Sequence, residues 1–262
     1  MARQQAADVP DRCGIGREVT AEGPVDLQLN QTRREQAALA IDDEVFGGIV
    51  TSWLRPEARM PPGSKTTWDE MSRLVNEGKI RHAGVCNFDV QLLEHAETVR
   101  HVDSLQPPFS LIRRDSGRDV IPWAADHGTG VIVYSPMQSG ILTDSFSAKR
   151  VAAMAETDWR RRAPNFIEPA LSGNLALRDA LRPIAERHGS TVAAVAIGWV
   201  LAWPGVTGAI VGARSPEQVD GWIGGSQIRL TEDDLAEVAN AATAARAGSG
   251  PVHPLVAVSQ RS

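Results

Sequence analysis

The sequence predicts an α/β fold built on a parallel sheet, and two observations carry the prediction. Helix and strand signals alternate from about Thr66 onward, with strand candidates beginning near residues 80, 103, 130 and 206. Strands separated by helix-length segments indicate βα units, because parallel neighbours need a crossover between them. The second observation is Gly130-Val131-Ile132-Val133-Tyr134-Ser135-Pro136, a continuous β-branched run suited to burial on both faces.

The elements follow in order. Thr67-Trp68-Asp69-Glu70 has the pattern of a capping box, and Trp68, Met71, Leu74 and Val75 keep helical spacing until Gly78. Ile80–Phe88 is a short strand candidate. Asp89 can cap a helix carrying Val90, Leu93 and Ala96. Ser104-Leu105-Gln106 reads as a strand stopped by Pro107-Pro108, and a helix over Asp119–Asp126 ends at Gly128. Two helices are expected over Asn174–His188 and Thr191–Trp203, closed by Gly189 and Pro204. A buried strand over Val206–Val211 and helices over Glu217–Ile223 and Asp233–Arg246 complete the alternation, with Thr231 capping the last. Sheets of this kind bind ligands at the C-terminal ends of their strands. Those ends carry Cys86-Asn87, Gln106, Tyr134-Ser135 and Gly212-Ala213-Arg214, a polar rim.

The first quarter of the chain reads differently. Val25–Leu29 has strand character and Thr32–Val45 a weakly amphipathic helical pattern. Phe46–Leu54 is apolar but broken by two glycines, and Arg55–Lys65 is a Pro- and Gly-bearing linker. The expected organisation is a divergent N-terminal segment at 1–65, a (β/α) region at 66–246 and a C-terminal tail at 247–262.

Composition excludes several classes. The 262 residues carry 27 Lys+Arg against 32 Asp+Glu, a formal net charge of −5. A mildly acidic chain has no electrostatic footprint for nucleic acid or for an anionic membrane. No apolar run approaches the ~18–20 residues of a membrane span, and Met1–Asp8 lacks the apolar core of a signal peptide. Cys13 and Cys86 lie too far apart for a zinc knuckle or redox pair. His95 and His101 lack ligand-like spacing, while His127 and His188 sit at helix ends, so no metal site is expected. Arg160-Arg161-Arg162, after Trp159, reads as a solvated face. The expectation is a cytoplasmic protein whose partner is a small molecule, with no nucleic acid and no membrane.

Four ordered segments then carry a resemblance. They are Gly84-Val85-Cys86-Asn87-Phe88, Leu105-Gln106-Pro107-Pro108-Phe109-Ser110, Val131-Ile132-Val133-Tyr134-Ser135-Pro136-Met137 and Val211-Gly212-Ala213-Arg214-Ser215-Pro216-Glu217-Gln218. Over about Thr66–Arg246 the chain resembles the aldo-keto reductases, NADPH-dependent enzymes built on a (β/α)8 TIM barrel. The resemblance implies that Asn87 and Gln106 hold a nicotinamide carboxamide and that Tyr134 stacks on the ring. Ser135, Pro136, Met137, Gln138 and Ser139 would follow the pyrophosphate. Gly212, Arg214 and Gln218 match positions around the adenosine ribose phosphate and adenine. Arginine offers a planar donor fork for a 2′-phosphate, and a helix start at Ser215-Pro216 favours an anion, which points to NADPH over NADH. Read without the resemblance, Tyr134 is equally a core aromatic, Asn87 and Gln106 turn residues, Arg214 a surface partner of Glu217 and Cys86 a small buried residue.

The departures matter as much. Catalysis in the family uses an Asp, a Tyr acid, a Lys and a His from the first half of the barrel. Tyr134 is the sole tyrosine and already holds the stacking position. The lysines are Lys65, Lys79 and Lys149, none at a strand end of the first half. Asn30 stands where the strand Val25–Leu29 would bring the His, Cys86 where the family usually has Ser, and Gly221 and Trp222 where polar residues often touch the adenine. Eight βα units need roughly 250 residues, so the expected barrel is incomplete or N-terminally truncated. An open sheet has costly bare edges. Either the N-terminal segment covers an edge, or a second copy of the chain does, or the chain is a truncated or frame-shifted remnant. The expected function is hydride transfer between NADPH and a small aldehyde or ketone; the alternative is an NADPH-binding protein without the catalytic set.

Overall fold

A computed structural model describes the backbone of residues 49–52 and the whole of residues 67–254. The expected strand Val25–Leu29, helix Thr32–Val45, linker Arg55–Lys65 and the position of Asn30 lie outside the described residues.

Five strands form one sheet: β1 (Ile49–Ser52), β2 (His82–Cys86), β3 (Ser104–Gln106), β4 (Gly130–Tyr134) and β5 (Gly208–Ile210). They pair in sequence order, every pair parallel. That order separates two architectures. A doubly wound sheet reverses direction at a switch point, whereas a barrel winds one way throughout, as this sheet does. The helices are α1 (Thr67–Asn76), α2 (Val90–Glu97), α3 (Val120–His127), α4 (Ala148–Ala152), α5 (Ala170–Ala180), α6 (Arg182–Arg187), α7 (Val192–Ala202), α8 (Pro216–Asp220) and α9 (Glu232–Ala244).

Local chemistry explains most boundaries. Leu92 N donates to the Asp89 side chain at 2.9 Å, capping α2. Gly128, at φ 71°, closes α3 in the left-handed conformation that glycine adopts without a steric cost. Thr191 caps α7, an apolar helix buried on every side, and Thr231 with Asp234 forms a reciprocal capping box on α9. The strand register then puts Val85, Leu105 and Val131 in one buried row facing the helices. Phe109, Trp199 and Trp203 pack as an aromatic cluster, with centroids 5.0–5.5 Å apart.

The structure corrects four expectations. α1 includes Thr67 instead of starting after it. The single helix Asn174–His188 is two helices, broken before Arg182, because Pro183 has no N–H to donate and its ring collides with the carbonyl four residues back. α8 ends at Asp220, and a separate 3-10 turn, Ile223–Ser226, follows it. The strands are also less buried than expected. β4 alternates, with Val131 and Val133 buried and Ile132 half-buried, while β5 is shorter than Val206–Val211 and half-buried throughout. Tyr134 sits in the half-buried row of β4, on the same face as the buried Gln106 of β3.

Candidate functional site

The site grows from the ends of β2, β3 and β4. Cys86 is the register partner of Gln106, and Asn87 N donates to Gln106 O at 3.2 Å. The Cys86 thiol, fully buried, donates to Gln106 O at 3.1 Å, so it behaves as a small buried residue. Gln106 is itself 8% exposed. One strand further, the Tyr134 hydroxyl donates to Asn87 Oδ1 at 3.0 Å. Asn87, Gln106 and Tyr134 therefore converge. Burial pushes the Tyr134 hydroxyl above its ordinary value, against a smaller opposing pull from Arg113. It is protonated at neutral pH, and its proton is engaged by Asn87.

Backbone geometry marks the same place. Asn87, Ser135, Gln138 and Ser139 all have φ between 46° and 60°, a region that non-glycine residues rarely enter. Four such residues at adjacent strand ends aim backbone groups away from the regular ladder. Pro136 is buried beneath the turn, Met137 is half-buried and Ser139 is exposed. Gln138 Oε1 accepts from Ser110 Oγ at 3.0 Å, and the same hydroxyl accepts from Ile112 N and Arg113 N. Ser110 thus ties the turn after β3 to the turn after β4. Its sequence signal was only a serine after two prolines.

The remaining expected residues form a second group past β5. Tyr134 is the register partner of Ile210, which sets Gly212 two residues beyond on the neighbouring strand. Arg214 is exposed, and its backbone N–H donates to Gln218 Oε1 at 2.8 Å. The anion preference expected of the helix start is met from within the chain. Glu217 lies in the first turn of α8, a helix of five residues, and accepts from the Ser215 hydroxyl, which holds its carboxyl below the ordinary value.

Two features escaped the sequence. Arg160 is buried, not solvated, and its guanidinium pairs with Asp158 at 2.6 Å. The Arg160 hydrogen bond holds the Asp158 carboxyl down to about 2 despite burial, and Arg214 adds a smaller pull in the same direction. The long loop after β4 is pinned from beneath by Arg178, whose Nη1 donates to Thr143 O at 3.0 Å and Phe146 O at 2.6 Å. The second feature is the tail. Arg114, 3% exposed, donates to the carbonyls of Leu111, Ala247, Gly250 and Pro251, and Ser249 N donates to Ile112 O at 3.0 Å. Residues 247–251 are thereby stitched to the turn after β3. Away from the rim, His188 Nε2 bonds Asp234 Oδ2 at 2.9 Å. Burial raises the Asp234 carboxyl, but Arg187, the Thr231 N–H and His188 outweigh it and hold it well below the carboxylate range. Among the described residues, no three of His, Cys, Asp and Glu are grouped to hold a metal ion.

The one-way parallel sheet and the convergent strand ends define a (β/α)-barrel type of protein with its site at the carboxyl side of the sheet. The chain belongs to the aldo/keto reductase family, whose model matches residues 49–243 and so takes in β1 as well as the motifs from Thr66 onward. It is 30% identical over 155 residues to the aldo-keto reductase YhdN of Bacillus subtilis (strain 168), covering 59% of this chain and 46% of that protein. In structure it is similar to the glycerol dehydrogenase AKR11B4 from Gluconobacter oxydans, with TM-score 0.65 and 30% identity over 79% of this chain and 60% of the other. The chain thus spans about half the length of the curated relative it matches. No helix among the described residues is long and apolar enough to cross a membrane.

Proposed function

We propose that the chain is an NADPH-dependent oxidoreductase that reduces an aldehyde or ketone at the ends of β2, β3 and β4. The observation that carries this reading is the meeting of Asn87, Gln106 and Tyr134, with Tyr134 hydrogen-bonded to Asn87. The donor set suits the group. Two carboxamide side chains can hold a carboxamide by complementary hydrogen bonds, and a half-buried aromatic face suits a planar ring. NADPH, when bound, supplies the hydride.

The residues of this chain do the rest. Asn87 and Gln106 orient the nicotinamide carboxamide, and the Tyr134 ring fixes the plane of the nicotinamide. The left-handed turn at Ser135 and Gln138–Ser139 brings backbone groups to the pyrophosphate, and Arg214 takes the 2′-phosphate. An alcohol product also needs a proton. Tyr134 is committed to Asn87, so we assign the proton to solvent at the strand ends. A buried Cys86 thiol that forms no disulfide among the described residues suits the reducing cytoplasm, where we place the protein. A second copy covering a sheet edge belongs to the same reading, and sedimentation that finds only monomer removes it.

The decisive experiment is an NADPH titration followed by quenching of the seven tryptophans, with NADH alongside, then NADPH consumption with 4-nitrobenzaldehyde. Saturable binding that prefers NADPH, with turnover, is the expected result. Absence of binding by either nucleotide overturns the proposal; binding without turnover removes its catalytic half.

A further inference from the structure

The turn after β3 sends two consecutive arginines in opposite directions. Arg114 points inward and spends its guanidinium on four backbone carbonyls. Arg113 is exposed, and among the described residues its side chain has no hydrogen bond or ion pair. Its backbone is nevertheless held firmly. Arg113 N donates to Ser110 Oγ at 3.0 Å, Ser110 N donates to Arg113 O at 3.0 Å, and Arg113 forms a parallel bridge with Ser249 of the tail.

This turn is part of the rim itself. Phe109 N donates to Tyr134 O at 3.2 Å, and Ser110 reaches Gln138. The charge on Arg113 is felt at the Tyr134 hydroxyl, which it pulls down against burial. The local balance is positive. Between residues 113 and 119 three arginines stand against Asp115 and Asp119, the Asp115 carboxylate already accepts from the Ser249 hydroxyl and the Asp119 carboxylate from Val120 N. The turn fixes where the Arg113 side chain starts, and a single guanidinium fork matches the two oxygens of a carboxylate. A phosphate dianion would call for more donors than this turn presents.

We propose that Arg113 docks the carboxylate of the substrate, so that the preferred substrates are aldehydes or ketones that also carry a carboxylate group. This rests on the reading that a carbonyl compound is reduced beside Tyr134, and the test separates the two. Turnover of 4-carboxybenzaldehyde and benzaldehyde is compared for the wild-type chain, Arg113→Gln and Arg113→Lys. Binding of the corresponding alcohols in the presence of NADP+ is measured by calorimetry, which needs no turnover. Because the guanidinium is solvent-exposed, the expected preference for the carboxylated compound is about fivefold, the upper range for an exposed ion pair, and it falls with added salt. It disappears in Arg113→Gln and is partly kept in Arg113→Lys. An equal preference in Arg113→Gln, or no preference in the wild-type chain, overturns the proposal. Absence of turnover with an Arg113-dependent binding preference sinks only the catalytic reading.

Discussion

The Tyr134 hydroxyl donates to Asn87 Oδ1 at 3.0 Å, across a sequence separation of 47 residues. The bond gives the Asn87 amide a direction. Its oxygen is taken by Tyr134, so its NH2 is the group presented to a ligand, and the left-handed backbone of Asn87 (φ 59°) keeps the side chain at the strand end.

Two substitutions separate the parts of Tyr134. Tyr134→Ala removes the ring and should weaken NADPH binding by about 1–3 kcal/mol, by analogy with aromatic–base stacking. Tyr134→Phe keeps the ring and removes only the bond to Asn87, so its cost should be about 1 kcal/mol. Fluorescence titration measures both. Equal losses would show that the ring contributes nothing.

Asp158 and Arg160 predict a pH window. The folded Asp158 carboxyl titrates at about 2, below its ordinary 3.8. A depressed carboxylate contributes stability that is complete above its unfolded value and lost as pH falls through the folded one. The stability gap between the wild-type chain and Asp158→Asn should therefore hold from pH 7 to about 4 and narrow toward 2. Urea unfolding across that range checks it; a gap unchanged below pH 4 would detach the pair from the titration.

Gly84 and Ser104 make an asymmetric pair. A Cβ at Gly84 would lie 2.0 Å from Ser104 Oγ and 2.7 Å from Ser104 O, so Gly84→Ala forces β2 and β3 apart. A cost of about 1–3 kcal/mol is expected from overpacking. Ser104 Oγ is buried without a partner, so Ser104→Ala should be neutral or stabilising. Ser104→Ala should not rescue Gly84→Ala, because the backbone oxygen still collides. Thermal midpoints of the two single variants and the double variant decide the matter.

Arg114→Leu should release the tail. It leaves four carbonyls without their donor, at a cost of about 3 kcal/mol. Hydrogen exchange at the Ser249 amide, bonded to Ile112 O in the folded chain, should accelerate far more than exchange in β3 or β4. Uniform acceleration would mean that Arg114 supports the whole fold and not the tail alone.

The sequence was most legible where a residue acts locally. Pro107 and Pro108 ended β3, Gly128 ended α3, and Asp89 and Thr231 capped their helices as expected. Pro183 was an equally local signal, yet the apolar periodicity on either side hid the break. Burial was harder to read, because it depends on partners far along the chain. Arg160 looked solvated within its run of three until Asp158 and the surrounding loop closed on it. The meeting of Asn87, Gln106 and Tyr134 at adjacent strand ends was legible through the ordered motifs that contain them. The hydrogen bond joining them, and the left-handed backbone at Ser135, Gln138 and Ser139, had no local signature, since only glycine and asparagine announce that conformation.

The Arg114 clamp also sets an order of events in the making of this protein. Its guanidinium waits for Pro251, 137 residues downstream. During synthesis the sheet from β2 to β4 can pair before residues 247–251 are made, but the turn carrying Arg113 reaches its final shape only when those residues arrive. That turn is therefore the last part of the rim to be fastened, after the ladder hydrogen bonds of β2, β3 and β4 have formed.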